Sequence, residues 1–173
     1  METIVRPMSW DEGFPPQGRD IFKAFRGPEG EKLIFDDNFF VEGFLPLGTQ
    51  RKLSAEEMSV YRAPFLERQH RYPMLAFPRD LPIEGEPIDV CARVEKYSDW
   101  LCASSEVPKL LLTFDPGGIM TEPIVAWCRD HVASLEVDHV GPGIHYVQED
   151  QGPAIGRALA SWMQRKGVQR RLS

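Results

Sequence analysis

Two short runs carry residues whose types and spacing could do chemistry. One is Asp115-Pro116-Gly117-Gly118, which follows an apolar stretch ending at Phe114. The other is Gly141-Pro142-Gly143-Ile144-His145-Tyr146, which follows a stretch ending near Val140. In open α/β sheets, ligands bind beyond the carboxyl ends of the strands. The Gly-Pro-Gly run lets the backbone turn sharply. It would present His145 just outside a sheet, before the last helix, where an imidazole suits general-base work. Taken alone, His145 also reads as an ordinary solvated or hydrogen-bonded loop residue.

The other polar candidates read more plainly. His70, His131 and His139 stand at no expected strand-to-helix exit. Asp115 reads as a turn former that caps backbone amides. Glu149 and Asp150 read as caps of the final helix. Glu2, before the short apolar Thr3-Ile4-Val5, reads locally as a frayed terminal carboxylate. Arg165, Lys166, Arg170 and Arg171 read as a basic helix end and solvated tail. Cys91, Cys102 and Cys128 match neither a disulfide framework nor a zinc pattern. They read as free, partly buried thiols in a reducing compartment. No phosphate-binding loop, dinucleotide glycine motif, metal-ligand cluster or Gly-x-Ser-x-Gly elbow appears, so no cofactor and no metal are expected.

The elements that must position these residues differ between the two halves. Nine of the ten Phe precede residue 80, and ten of the fifteen Pro lie at or before Pro87. Residues 18–26 place Ile21, Phe22 and Phe25 on one helical face, stopped by Gly27-Pro28. Residues 29–36 and 38–45 read as two short helices. Ser54 and Glu57 form a capping box that opens a helix to about Phe65. Residues 71–86, with Pro73, Pro78 and Pro82, read as a loop with at most one helical turn. Pro87 suits a first helical turn. Ile88, Cys91, Val94, Tyr97 and Leu101 then make an apolar stripe to about Ala103. Residues 109–114 read as a strand buried on both faces. A helix over 121–131, a strand over 135–140 and a helix over 151–166 follow. The order is α/β, with parallel strands expected. Two strands, with Met1–Val5 as a third candidate, do not make a doubly wound sheet. The chain reads as part of a larger sheet protein.

The 173 residues suit one domain of ordinary size. With 42% hydrophobic and 27% charged residues, the composition is that of a soluble globular chain. A net charge of −6 argues against a nucleic-acid partner. No apolar run approaches the ~20 residues of a membrane helix. The N-terminus shows no secretory pattern. A cytoplasmic protein without membrane or nucleic-acid partners is therefore expected.

Longer motifs resemble a known family. Met-Glu-Thr-Ile-Val-Arg-Pro-Met (1–8), Phe-Lys-Ala-Phe-Arg (22–26), Asp-Asn-Phe-Phe-Val-Glu (37–42) and Leu-Pro-Leu-Gly (45–48) stand in order. Arg-Lys-Leu-Ser-Ala-Glu-Glu-Met (51–58), Tyr-Arg-Ala-Pro-Phe (61–65) and Phe-Pro-Arg-Asp-Leu-Pro-Ile (77–83) follow. Val-Pro-Lys-Leu-Leu (107–111), Asp-Pro-Gly (115–117) and Gly-Ile-His-Tyr-Val-Gln-Glu-Asp (143–150) complete the series. Over nearly its whole length the chain resembles the C-terminal portion of a haloalkane dehalogenase, a hydrolase of the α/β-hydrolase fold.

The resemblance implies a partial α/β-hydrolase fold. Residues 1–8 would be the end of a core strand carrying the acid, 9–86 a helical cap, and 87–173 the C-terminal part of the core. It implies Glu2 as catalytic acid and His145 as base. In the family an Asp carboxylate attacks the carbon bearing the halogen and displaces halide. The His then activates water to hydrolyse the alkyl-enzyme ester. Phe14, Phe22, Phe40, Phe44, Pro78, Leu81 and Ile119, with Tyr146, match the substrate pocket, and Phe25 is assigned to the core. The partner implied is a small halogenated alkane, which apolar walls suit.

The family's nucleophilic Asp, the Trp beside it and the Asn of its His-Gly-Asn loop precede the position of Glu2. None has a counterpart here, and Trp10, Trp100, Trp127 and Trp162 do not match. The chain therefore resembles a fragment, expected to be inactive alone: a gene read from an internal start, a truncated gene, or the second half of a split one, for which a separate N-terminal half would be the partner. Coelenterazine luciferases, which share several of these segments, are an alternative. Epoxide hydrolases are another, with Tyr61 and Tyr72 as the only candidate oxirane donors. A non-catalytic remnant or subunit is a third.

Overall fold

The computed structural model describes residues 2–167. Arg170 and Arg171 of the basic tail lie outside them. Helix α1 spans Pro16–Arg26, with proline in its first turn, where the missing N–H costs no helical bond. Its inward face carries Phe22 and Phe25, both buried. The Gly27 N–H closes its last turn on Lys23 O and Ala24 O.

The next two helical pieces are wider than an α-helix. Lys32–Asp36 and Phe40–Phe44 are single π-helical turns. Asn38, at φ 49°, separates them. A Cβ on Gly43 would lie 2.2 Å from the Phe39 ring. That close ring-to-backbone contact is open only to glycine. Helix α2 (Leu45–Leu47) follows and ends at Gly48.

Helix α3 (Ala55–Arg62) opens with the capping box read from the sequence. The Ser54 hydroxyl accepts the Glu57 N–H at 3.1 Å, and the Glu57 carboxylate accepts the Ser54 N–H at 2.7 Å. Helix α4 (Tyr72–Arg79) corrects the expectation of a loop here. Pro73 sits in the first turn, where it is tolerated, and Pro78 falls near the last. Spacing, not proline count, decided that element.

Helix α5 spans Ile88–Ala103 directly after Pro87. Its apolar stripe is largely uncovered: Cys91 is buried, but Ile88 is 72% and Tyr97 60% exposed. Strands β1 (Lys109–Pro116) and β2 (Leu135–Gly143) pair in parallel, with α6 (Glu122–His131) between them in the chain. Register runs from Lys109↔Leu135 to Pro116↔Gly143, with a bulge between Thr113 and Phe114. Both strands outrun their expected ends. The bulge absorbs an extra residue, so Pro142 and Gly143 stay in the ladder instead of turning out of it. The expectation that 109–114 is buried on both faces is not met. These residues are half-buried, and Leu110, Leu111 and Leu112 line an open groove.

Helix α7 (Val147–Arg165) is kinked at Gln151, with Pro153 just beyond. No strand forms over the described part of Met1–Val5. The nearest pairing is a bridge from Met8 to Ile83. The Met8 N–H donates to Pro82 O and the Glu84 N–H to Met8 O, each at 3.0 Å. One apolar core joins front and back. Phe14, Phe22, Phe25 and Phe44 pack in it with Ile119, Ile124 and Val125. Phe22 meets Phe44 edge-to-face at 5.2 Å, a favoured aromatic geometry. Among the described residues no helix is long and apolar enough to cross a membrane.

Candidate active site

Glu2 is not a frayed carboxylate. Its side chain is 4% exposed and receives four hydrogen bonds. Oε1 accepts the N–H groups of Gly118 at 2.9 Å and Met120 at 3.0 Å. Oε2 accepts the Ile119 N–H at 2.7 Å and the His145 Nδ1–H at 2.9 Å. Four donors match the acceptor capacity of one carboxylate, which is what its burial requires. The backbone of 117–120 makes this cradle. Gly117 has φ +71° and its N–H stays on the β ladder through Gly143 O at 3.0 Å. A Cβ on Gly118 would lie 2.8 Å from Glu2 Oε2 and 3.1 Å from His145 Cβ. The carboxylate thus takes the place a side chain would fill. Asp115, expected to cap these amides, is exposed, and Glu2 takes the three amides beyond it.

His145 is largely buried and held from two sides. Glu2 fixes its Nδ1. Gly48 O accepts its backbone N–H at 2.9 Å and that of Tyr146 at 2.8 Å. Because Glu2 Oε2 accepts this bond, Nδ1 carries the proton, and in the neutral ring the lone pair is on Nε2. Among the described residues nothing hydrogen-bonds Nε2. The Phe44 ring lies 6.0 Å from the imidazole and the Tyr146 ring 4.8 Å. Burial pushes the Tyr146 hydroxyl well above its ordinary pKa.

The imidazole stands on the wall of an apolar cavity of about 150 Å³. Phe14, Phe22, Phe44 and Ile119 line it. Phe40, Pro78, Leu81 and Tyr146 do not. Phe40 packs against the core from outside, and Pro78 and Leu81 are buried within it. Tyr146 packs between the main core and the smaller cluster of Val41, Leu45, Leu53 and Met58. The sequence reading missed, among other wall residues, Ile21, Leu47 and Gly48. Ile21 was legible on the α1 face beside Phe22. Leu47 and Gly48 had no local signal beyond the end of a short helix. Among the described residues no Asp or Glu lines the cavity.

Tyr61 and Tyr72 do not reach it either. The Tyr61 hydroxyl donates to Glu149 Oε1, and Tyr72 is exposed. Glu149 and Asp150 sit in the first turn of α7 but bond outward, to residues 50–61, rather than to their own helix. His131 and His139 make only local contacts, to Trp127 O and Thr113 Oγ1. The three cysteines are free. Among the described residues no group of three or more His, Cys, Asp or Glu could hold a metal ion.

No family model matches the chain. Curated relatives do. A haloalkane dehalogenase of Mycolicibacterium smegmatis is 42% identical over 165 residues, 94% of this chain and 52% of that protein. One of Mesorhizobium japonicum is 44% identical over 163 residues, covering 92% and 52%. Among solved structures, a haloalkane dehalogenase of Bradyrhizobium elkani superposes with a TM-score of 0.89 at 40% identity, over 95% of this chain and 58% of that one. The chain spans about half the length of the curated relatives it matches. It is homologous to haloalkane dehalogenases across nearly all its residues, and its architecture is a partial α/β-hydrolase fold.

Proposed function

We propose that this member of the haloalkane dehalogenase lineage supplies the acid and base for hydrolytic dehalogenation of small haloalkanes. Glu2 is the acid and His145 the base. The observation that carries this is the Glu2–His145 pair on the wall of an apolar cavity that offers no carboxylate. Attack on carbon needs a nucleophilic carboxylate, and the cavity walls supply none. We place that group, and the halide-holding donors, in a segment outside this sequence.

The chemistry then divides cleanly. An external Asp displaces halide and becomes an alkyl ester. His145 Nε2, which the Glu2–Nδ1 bond leaves as the lone-pair nitrogen of the neutral ring, removes a proton from water as it attacks the ester carbonyl. The carboxylate is released and the alcohol leaves. Glu2 balances the imidazolium formed in that step. Residues 9–86 act as the cap: Phe14, Phe22 and Phe44 exclude water and favour an apolar substrate. The open groove along β1 supports packing of the nucleophile-bearing part on that side.

Two measurements test this. The purified 173-residue chain is expected to release no halide from 1-bromobutane or 1-chlorohexane. The DNA upstream of Met1 is expected to encode, in frame or after one frameshift, a strand–turn with Asp-Trp and an earlier His-Gly-Asn. Co-expression of that half should restore halide release. Halide release by the pure chain alone would overturn the proposal. So would restored activity that survives His145→Ala.

A further inference from the structure

We infer that Arg51, Glu149 and Asp150 form a latch that aims the base, making them positioning residues for His145. This rests on the reading of His145 as the base. The observation is how two short segments, 48–51 and 145–150, are joined. Gly48 O takes the N–H groups of His145 and Tyr146. Two residues on, the Gln50 and Arg51 N–H groups donate to the two oxygens of Asp150, each at 2.9 Å. The Arg51 guanidinium then spans the junction. Its Nε donates to Glu149 O at 2.7 Å and its Nη2 to Glu149 Oε2 at 2.9 Å. Its other bonds go to Glu57, at 2.9 and 2.8 Å. Glu57 is itself the capping residue of α3, so the latch is anchored on a helix.

None of these side chains touches the imidazole. Their effect passes through Gly48. Glu2 holds Nδ1 from the strand side, while the latch holds the base's backbone from the helical side. The imidazole therefore lies between two anchors that move independently unless 48–51 is fastened to α7. The fit there is tight: a Cβ on Gly48 would lie 2.6 Å from the Tyr146 ring. A shift of ~1 Å in a catalytic group costs a large share of its effect. Bidentate Arg and carboxylate contacts resist such a shift better than single ones.

Nitrogen-resolved NMR of the imidazoles in the full 173-residue chain tests this, because it needs no turnover. His145 is assigned by its loss in His145→Gln. The wild-type ring is expected as the Nδ1-protonated tautomer. Asp150→Asn and Arg51→Met are expected to make this tautomer the minority form. They should also speed exchange of the His145 amide by about tenfold. Glu42→Gln is the control. It breaks the comparable Arg62–Glu42 pair, at 2.7 Å twice, and should lower Tm without moving the imidazole signal. An unchanged tautomer and exchange rate in both latch variants would overturn the proposal. So would failure of both to fold, since the contacts would then hold the fold rather than aim the base. The underlying reading fails separately, if the wild-type ring is protonated on Nε2 or if Glu2→Gln leaves the signal unchanged.

Discussion

His145 Nδ1 lies 2.9 Å from Glu2 Oε2, although 143 residues separate the two in the chain. The same oxygen also accepts the Ile119 N–H. Glu2 and the loop beneath His145 are thus one hydrogen-bonded unit. Glu2→Gln keeps the shape but puts an NH2 where an acceptor is needed. With the nucleophile supplied, alkyl-ester hydrolysis is expected to slow by about 10⁴-fold, the scale for replacing a triad acid by its amide, which favours the wrong imidazole tautomer. Single-turnover halide release should persist while alcohol formation stalls.

Gly118 is predicted to tolerate no side chain. The Cβ of Gly118→Ala would press on the Glu2 carboxylate and on His145 Cβ. A loss of about 1–3 kcal/mol is expected, read as a lower urea midpoint. Gly156→Ala, in α7 with open space around it, should instead gain about 0.5–1 kcal/mol. Equal shifts for the two would contradict the cradle.

Phe22 joins the cavity to the core. It is 3% exposed and packs on Phe14, Phe25 and Phe44. Phe22→Ala should cost about 3–5 kcal/mol. It should also enlarge the cavity, so that an apolar probe such as iodobenzene binds more tightly. A variant that loses stability without gaining affinity would place Phe22 in the core alone.

The latch has a pH window. Hydrogen bonding to Arg51 lowers the Glu57 pKa from 4.5 to about 2. Between those values the unfolded chain binds more protons than the folded one. This contribution is therefore full above pH 4.5 and lost as pH falls toward 2. The hydrogen bond to Glu149 raises the Tyr61 pKa from 10.0 to about 12. There the folded chain keeps a proton the unfolded chain has lost. That contribution is full below pH 10 and lost as pH rises toward 12. Glu57→Gln should flatten the acid limb of Tm against pH, and Tyr61→Phe the alkaline limb. Unchanged limbs would show that these bonds do not persist in solution.

Local pattern made several elements legible. The Phe22 and Phe25 face wrote α1, Ser54 and Glu57 wrote the start of α3, and the apolar run over 109–114 wrote β1. These are signals within one turn or one strand, where propensity and spacing act directly. The motif series from 1–8 to 143–150 also identified Glu2 and His145 as a pair. Other features depended on distant partners. Prolines hid α4 because their cost depends on which turn they occupy. Glu149 and Asp150 looked like helix caps because their partners, Arg51 and Tyr61, are about ninety to a hundred residues away.

The sequence by itself determined the order of helices and strands apart from α4, the chemistry available and the family likeness. Each of those is a property of residue type and short spacing. Only tertiary structure decided that Glu2 is buried rather than frayed, because its charge is compensated by three amides and an imidazole from the other end of the chain. It also decided which apolar residues face the cavity. Phe22 and Phe44 do so while Phe40, Pro78 and Leu81 do not, because direction is set by packing between elements and is not written in any one of them.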